Sequence, residues 1–165
     1  MQSKDRINDF VVQIATVNGT GSSSANTLLM KAIFRMGIPV VGKNYFPSNI
    51  QGLPTWYEIR VTGEGHLARS SKVDIMVAMN AQTYAEDLVS VVTNGVLIYD
   101  SSWPRAELED RSDITVLPVP LSKMCNESFT GARARILMKN IAYVGAIAAL
   151  IEIDRDIVRQ LLSLS

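Results

Sequence analysis

The run of residues 10–17 and the turn that follows it constrain the fold more than any other part of this sequence. These residues are apolar and β-branched, as in a buried strand, and they lead into the turn sequence Asn18-Gly19-Thr20-Gly21. Residues 24–36 then repeat apolar side chains at helical spacing, Gly37 ends this helix, and residues 38–41 form a short apolar strand. These segments make a βαβ unit, which predicts a parallel sheet.

The rest of the chain continues the alternation of strands and helices. Residues 56–61 alternate as a strand, and because no crossover helix precedes them, we expect this strand to run antiparallel to its neighbour or to lie at a sheet edge. The sequence also predicts strands over 73–79, 96–99 and 114–119, the last ended by Pro118 and Pro120, and helices over 81–92, 135–150 and 154–164. The expected fold is a three-layer α/β/α, Rossmann-like domain with a mostly parallel, mixed sheet.

Length and composition narrow the class of protein. A chain of 165 residues predicts a single domain over 1–165. The 16 basic and 16 acidic residues cancel, and no basic stretch is interleaved with aromatics, so we expect no nucleic-acid partner. The apolar run 141–151 is shorter than the roughly 20 residues that span a bilayer, so we expect no membrane partner. The single Cys125 and the charged N-terminus fit a cytoplasmic protein.

The first turn is the main candidate for ligand binding. It reads Gly19-x-Gly21-x-x-Ser24, close to the dinucleotide fingerprint in which glycines let the backbone approach a diphosphate at a helix N-terminus. The hydroxyls of Ser22, Ser23 and Ser24 suit phosphate oxygens. The alternative is an ordinary N-cap and tight turn.

A second indication comes from the end of the second predicted strand. An NAD site would place a carboxylate there, about 20 residues beyond the glycine turn, but this sequence has Gly42 and Lys43. A lysine attracts a further phosphate, which favours a ligand with a phosphorylated ribose, such as CoA. The alternative for Lys43 is a solvated loop lysine.

Other segments and side chains have less specific interpretations. Residues 44–57 are rich in aromatics and amides and carry no charge, so they contact a partner chain, which we favour, or cover a ligand. His66 has no neighbouring ligand set and receives no role, and Cys125 is expected to be a small packed side chain. Asp100 follows a parallel strand, where it either contacts a ligand or begins a turn.

Four segments carry a resemblance to a known family. GKNYFPSNIQGLPTWYEIRV, YDSSWPR, LPVPLSKMC and ARARILMKNIAYVGAIAAL resemble the gamma domain of 2-oxoacid:acceptor oxidoreductases. In detail the chain is similar to the version fused to the front of the alpha subunit of 2-oxoglutarate:ferredoxin oxidoreductase, so its end at Ser165 looks like a truncation.

The resemblance implies an enzyme that oxidatively decarboxylates a 2-oxoacid to an acyl-CoA, and the similarity to the fused version implies that this 2-oxoacid is 2-oxoglutarate. Thiamine diphosphate and iron–sulfur clusters are expected in the complete enzyme and not on this chain, and ferredoxin is expected to accept the electrons. The implied partners are the remaining alpha-subunit domains and the beta subunit. We also expect this chain to associate with itself through residues 44–57 and the small-residue face of its 135–150 helix.

Carried over residue by residue, the resemblance implies a CoA site in the first turn. Its members are Gly19, Thr20, Gly21, Ser22, Ser23, Ser24 and Asn26, and the charge argument adds Lys43. The sequence departs from the commoner family pattern, GGQG, by having Gly21-Ser22-Ser23-Ser24. Three further matches are interpreted as structural: Pro120 as a strand stop, Asn140 as a helix-facing amide and Gly145 as a close helix contact.

The sequence therefore predicts a CoA-handling and assembly domain with no catalytic residue and no metal ligand of its own. One alternative is a subunit-contact module without a ligand. The other is an independent NAD-dependent dehydrogenase, which is weaker because the ribose carboxylate and an acid–base pair near the turn are missing.

Overall fold

The computed structural model describes residues 8–46, 50–65, 72–105, 108 and 111–164. Six strands and five helices lie within these ranges. In chain order they are β1 (Asp9–Val17), α1 (Ser22–Arg35), β2 (Val40–Tyr45), β3 (Pro54–Thr62), β4 (Val73–Ala78), α2 (Tyr84–Ser90), β5 (Val91–Asp100), β6 (Thr115–Val119), α3 (Leu121–Ser128), α4 (Ala132–Leu150) and α5 (Arg155–Ser163).

The strands form one mixed sheet in the order β2-β3-β1-β4-β5-β6. β1, β4, β5 and β6 pair in parallel, whereas β3 is antiparallel to both β1 and β2. The antiparallel direction of β3 confirms the sequence prediction, but this strand lies inside the sheet and not at its edge. β1 and β2 consequently run in the same direction. The first turn, which follows β1, and the end of β2 therefore lie at the same end of the strands.

Helices cover both faces of the sheet, which confirms the three-layer α/β/α class. On one face, α1, α4 and α5 enclose the larger core around Ile14, Leu29 and Ile59, with Tyr143 fully buried among them. On the other face, the short α2 packs Tyr84 onto a second cluster from β4 and β5. Within the described ranges, no helix combines the length and the apolar character needed to cross a bilayer.

Three helices differ most from the sequence prediction, and α2, predicted over 81–92, is shorter at both ends. α2 ends at Ser90, because β-branched Val91 begins β5 opposite Val73. The prediction missed α3, which has only two buried side chains, Leu121 and Cys125, and therefore little apolar periodicity. α4 begins at Ala132, one turn earlier than expected.

Two structural interpretations of single residues were wrong. Pro118 does not end β6 but lies within it, which is possible because β6 is the edge strand of the sheet. Gly145 makes no close helix contact in the described part of the chain, because a Cβ built on it would meet nothing within 4 Å. Pro120 does follow the end of β6, as expected.

Candidate functional site

The site begins with a glycine turn, residues 18–21, between β1 and α1. Gly19 and Gly21 have φ angles of 87° and 80°, in the left-handed region that residues with a Cβ adopt at a cost. Gly21 is the N-cap of α1, where no side chain forms a cap hydrogen bond and no acidic residue occupies the first turn. The free N–H groups of this first helical turn therefore face an environment suited to an anion.

Hydrogen bonds from two other parts of the fold hold the glycine turn in place. Asn140 Nδ2 on α4 donates to the Thr20 carbonyl at 2.9 Å. On the other side, the Asn18 backbone N–H donates to the Leu53 carbonyl at 2.8 Å, and the Gly52 N–H donates to the Asn18 carbonyl at 3.0 Å. The turn is thus positioned by α4 and by the segment that precedes β3.

Two hydrogen-bonded pairs of buried side chains lie under the turn. The Thr16 hydroxyl donates to Ser22 Oγ at 3.0 Å, and the Tyr143 hydroxyl donates to Asn26 Oδ1 at 2.8 Å. Burial raises the pKa of Tyr143, so its hydroxyl stays a donor. Asn26 is only 2% exposed, yet its Nδ2 donates no hydrogen bond to a described residue. Its amide N–H groups remain available to a ligand.

Three recesses meet at Gly21. The sheet-edge recess, about 250 Å³, lies between the turn and the ends of β2 and β3. The Arg133 recess, about 650 Å³, lies between the turn and the first helical turns of α4. The α5 groove, about 640 Å³, runs along α1 between α4 and α5 and contains Lys31 and Arg35. A ligand bound over Gly21 could extend into any of them.

The structure brings seven of the eight expected residues together. They line at least one of the three recesses: Gly19, Thr20, Gly21, Ser22, Ser23, Ser24 and Asn26. Lys43 is separated from them. It lies on the opposite face of the sheet, across from Glu58, with its Nζ 5.2 Å from the centre of the Tyr45 ring.

The position of Lys43 has a simple cause. The sequence prediction ended the second strand at residue 41, but β2 continues to Tyr45. Side chains alternate between faces along a strand, so Lys43 points away from α1 while Asn44 points toward it. Asn44 therefore occupies the ligand-facing position at the end of β2 and lines the sheet-edge recess.

The sequence interpretation missed Asn44, Tyr57 and Arg133 as lining residues. Asn44 could have been found by extending the strand and applying its alternation. Arg133 carried no such signal, because it is more than 100 positions from the turn and comes near it only through the packing of α4.

The remaining sequence candidates have structural roles or lie outside the description. The Asp100 carboxylate accepts hydrogen bonds from the hydroxyl and backbone N–H of Ser122 and from the backbone N–H of Ser102, so it caps α3. Burial raises the pKa of Asp100, but these hydrogen bonds outweigh burial and the pKa is lowered. Cys125 is buried, as expected, and burial raises the pKa of its thiol. His66 lies outside the described residues. No group of three potential metal-ligating side chains occurs among those that are described.

The uncharged aromatic segment is divided between two environments. Phe46, Ile50 and Leu53 are 45%, 64% and 36% exposed, which is high for large apolar side chains. Trp56 is half-buried, and its Nε1 donates to Asp87 Oδ1 at 2.8 Å. The segment thus has an outward apolar part, while its tryptophan is fixed to α2.

Comparison with known proteins agrees with the resemblance seen in the sequence. The 2-oxoacid:ferredoxin oxidoreductase 2 alpha subunit of Aeropyrum pernix is 32% identical over 94 residues, covering 56% of this chain and 14% of that subunit. The corresponding subunit of oxidoreductase 1 from Sulfurisphaera tokodaii is 25% identical over 89 residues, again covering 14% of the subunit. This chain thus matches only a small part of each relative's length.

Two solved structures share the fold. A 2-oxoglutarate:ferredoxin oxidoreductase from Magnetococcus marinus, with 2-oxoglutarate, coenzyme A and succinyl-CoA bound, has a TM-score of 0.83 at 22% identity over 95% of this chain and 27% of its own. The gamma subunit of a keto/oxoacid ferredoxin oxidoreductase from Geobacter sulfurreducens has a TM-score of 0.71 at 14% identity, covering 93% of this chain and 84% of its own. The model of one family, pyruvate ferredoxin/flavodoxin oxidoreductase, matches residues 11–165. The chain therefore belongs to the pyruvate ferredoxin/flavodoxin oxidoreductase family.

Proposed function

We propose that this chain is the CoA-handling and assembly domain of a thiamine-dependent 2-oxoacid:ferredoxin oxidoreductase that uses 2-oxoglutarate. In this role it binds CoA and contacts the other subunits, and it contributes no catalytic residue. The chemistry of the complete enzyme would come from thiamine diphosphate and iron–sulfur clusters held elsewhere. A single cysteine cannot supply the thiolates that a cluster needs.

The glycine turn is the observation that carries the proposal. Gly19 and Gly21 bring bare backbone to the surface at the N-terminus of α1, where an anion is favoured by the helix dipole and by unsatisfied N–H groups. Ser22 and Asn26 add buried donors beside it. A diphosphate would bind there without a change in the backbone conformation of the turn.

The end of β2 supports CoA over NAD. The side chain that faces the turn from this strand is Asn44, an amide, where an NAD site would have a carboxylate for the ribose hydroxyls. The similarity in fold to an oxidoreductase solved with CoA and succinyl-CoA bound points the same way.

The assembly part of the proposal rests on exposed apolar side chains. Three large apolar side chains that are close together in sequence are exposed: Phe46, Ile50 and Leu53. Phe46 also lines the sheet-edge recess. Such a patch fits contact with the remaining alpha-subunit domains or the beta subunit. Because Phe46 lines the sheet-edge recess, a partner that covers this patch would also cover the open side of the ligand site.

Calorimetric titration of the chain with CoA tests the proposal. Gly21→Ala should abolish measurable binding, because it forces a residue with a Cβ into a φ of 80° and places that Cβ 2.6 Å from Leu137 Cδ2. Gly37→Ala is the matched control: its φ is 79°, a Cβ there meets nothing within 4 Å, and it lies at the other end of α1. Both variants should lose about 1 kcal/mol of stability. Absence of CoA binding to the unmodified chain, or equal binding by both variants, would contradict the proposal.

A further inference from the structure

We propose that Arg133 reads the 3′-phosphate of CoA and that the Arg133 recess holds the adenine nucleotide end of the ligand. This inference rests on the proposed function and specifies which of the three recesses the nucleotide enters. It assigns to Arg133 the role that charge alone had suggested for Lys43.

The first argument is charge. Arg133 is the one charged side chain among the described residues that line this recess, and the others are apolar, amide or glycine residues and the hydroxyl-bearing Thr20. No described carboxylate forms an ion pair with its guanidinium. A guanidinium that no described carboxylate neutralises, beside a turn that suits phosphates, is positioned to bind a phosphate in bidentate fashion.

The second argument is the shape of α4. Arg133, Ile136 and Leu137 lie on one face of this helix, at positions i, i+3 and i+4. Ile136 and Leu137 are each 42% exposed and form an apolar surface between the arginine and the glycine turn. A purine ring could pack on this surface while its ribose phosphate reaches Arg133.

The third argument is the connection of this face to the turn. The same face continues to Asn140, whose amide holds the Thr20 carbonyl at 2.9 Å. Arg133 is two helical turns from Asn140, about 10 Å along the axis, so one nucleotide could span the turn and the arginine. Gln51, whose side chain lies 2.6 Å from the position of a Cβ on Gly19, offers an amide to the edge of the base.

Three other cationic side chains near the site are less well placed to bind the 3′-phosphate. Lys43 lies on the opposite face of the sheet. Lys31 and Arg35 are in the α5 groove, whose floor includes Leu28 and Leu161 and which reaches the glycine turn only at Gly21. The Arg133 recess instead borders every residue of the turn, from Asn18 to Gly21.

The test is a comparison of CoA with dephospho-CoA by calorimetry, on the unmodified chain and on Arg133→Gln. The unmodified chain should bind CoA about tenfold more tightly than dephospho-CoA. Arg133→Gln should remove this preference by weakening CoA alone, with the affinity for dephospho-CoA unchanged. Arg155→Gln, an exposed arginine on α5 that lines none of the three recesses, is the matched control and should keep the preference.

Three results separate the inference from the proposed function. If the unmodified chain binds CoA but shows no preference, or if Arg133→Gln retains it, the assignment of Arg133 is wrong and the CoA site stands. If Lys43→Gln or Lys31→Gln removes the preference instead, the nucleotide lies elsewhere and the inference is also overturned. If the unmodified chain binds neither ligand, the proposed function fails with it.

Discussion

Asn140 on α4 donates a hydrogen bond from its side-chain amide to the backbone carbonyl of Thr20 at 2.9 Å. The two residues are 120 positions apart, so the shape of the glycine turn depends on the packing of α4 against α1. Asn140 is 5% exposed. Among the described side chains, Asn140 alone donates a hydrogen bond to the Thr20 carbonyl.

Asn140→Ala should therefore both destabilise the fold and weaken ligand binding. Loss of the donor removes the hydrogen bond to the part-buried Thr20 carbonyl, which costs about 1 kcal/mol. Thermal unfolding measures the first effect and CoA titration the second. Asn126→Ala, on the exposed surface of α3, is the control and should change neither. A variant of Asn140 with unchanged stability and affinity would show that the contact does not hold the turn.

Ser23→Glu should abolish CoA binding without destabilising the chain. Ser23 is exposed, lies in the first turn of α1 and lines two of the three recesses. A carboxylate there interacts favourably with the helix dipole but repels the ligand's phosphates. Ser23→Gln has a similar size and no charge, so it should retain most of the affinity. Equal loss in both variants would mean that steric fit, and not charge, decides binding.

Asp87 should give the chain a pH-dependent stability that a single substitution removes. Burial raises the pKa of Asp87 from 3.8 to about 6, with a smaller contribution from Glu86, while hydrogen bonds from Trp56 and Thr83 partly oppose the rise. Because the folded state binds the proton more tightly than the unfolded state, the stability from this group is full below about pH 4 and is lost as the pH rises to about 6.

Denaturant unfolding across this pH range would measure the effect as a difference between the unmodified chain and Asp87→Asn. The variant should lack the decline in stability between about pH 4 and 6. Asp156→Asn, on the exposed surface of α5, should retain it. A parallel pH profile for Asp87→Asn and the unmodified chain would contradict the assignment.

Self-association should depend on Phe46 and not on Trp56. Phe46 is 45% exposed, so Phe46→Glu should shift the chain toward the monomer with little effect on unfolding. Trp56→Glu should instead destabilise the chain, because it removes the hydrogen bond to buried Asp87. Trp103→Glu replaces another aromatic residue, 63% exposed, outside the segment and serves as the control. Light scattering that shows a monomer for the unmodified chain at high concentration would refute this prediction.

The sequence predicted the fold well where one strand or helix carries its own pattern. The alternating side chains of β3 and the missing crossover before it indicated an antiparallel strand, and the glycine turn indicated the start of α1. It failed where packing decides, as at α3, which has only Leu121 and Cys125 buried and is capped by Asp100 from a distant strand end.

The candidate site was predictable in the turn and not around it. Gly19 to Ser24 and Asn26 are local to one turn and helix, so their proximity follows from chain connectivity. Lys43 was misplaced because an error of a few residues in the end of a strand reverses the face that a side chain occupies. Arg133 could not be found, since only the tertiary contact of α4 brings it to the turn.

Amide chemical shifts during a CoA titration, followed by nuclear magnetic resonance, test the central claim most directly. The account predicts that the largest changes occur at the backbone N–H groups of Gly19, Gly21, Ser22 and Ser23, with the Asn26 side-chain amide also shifting. Residues around Gly145 and Arg155, which line a separate recess of about 560 Å³, should not respond. Binding of CoA with changes at that distant recess, and none at the glycine turn, would contradict the account.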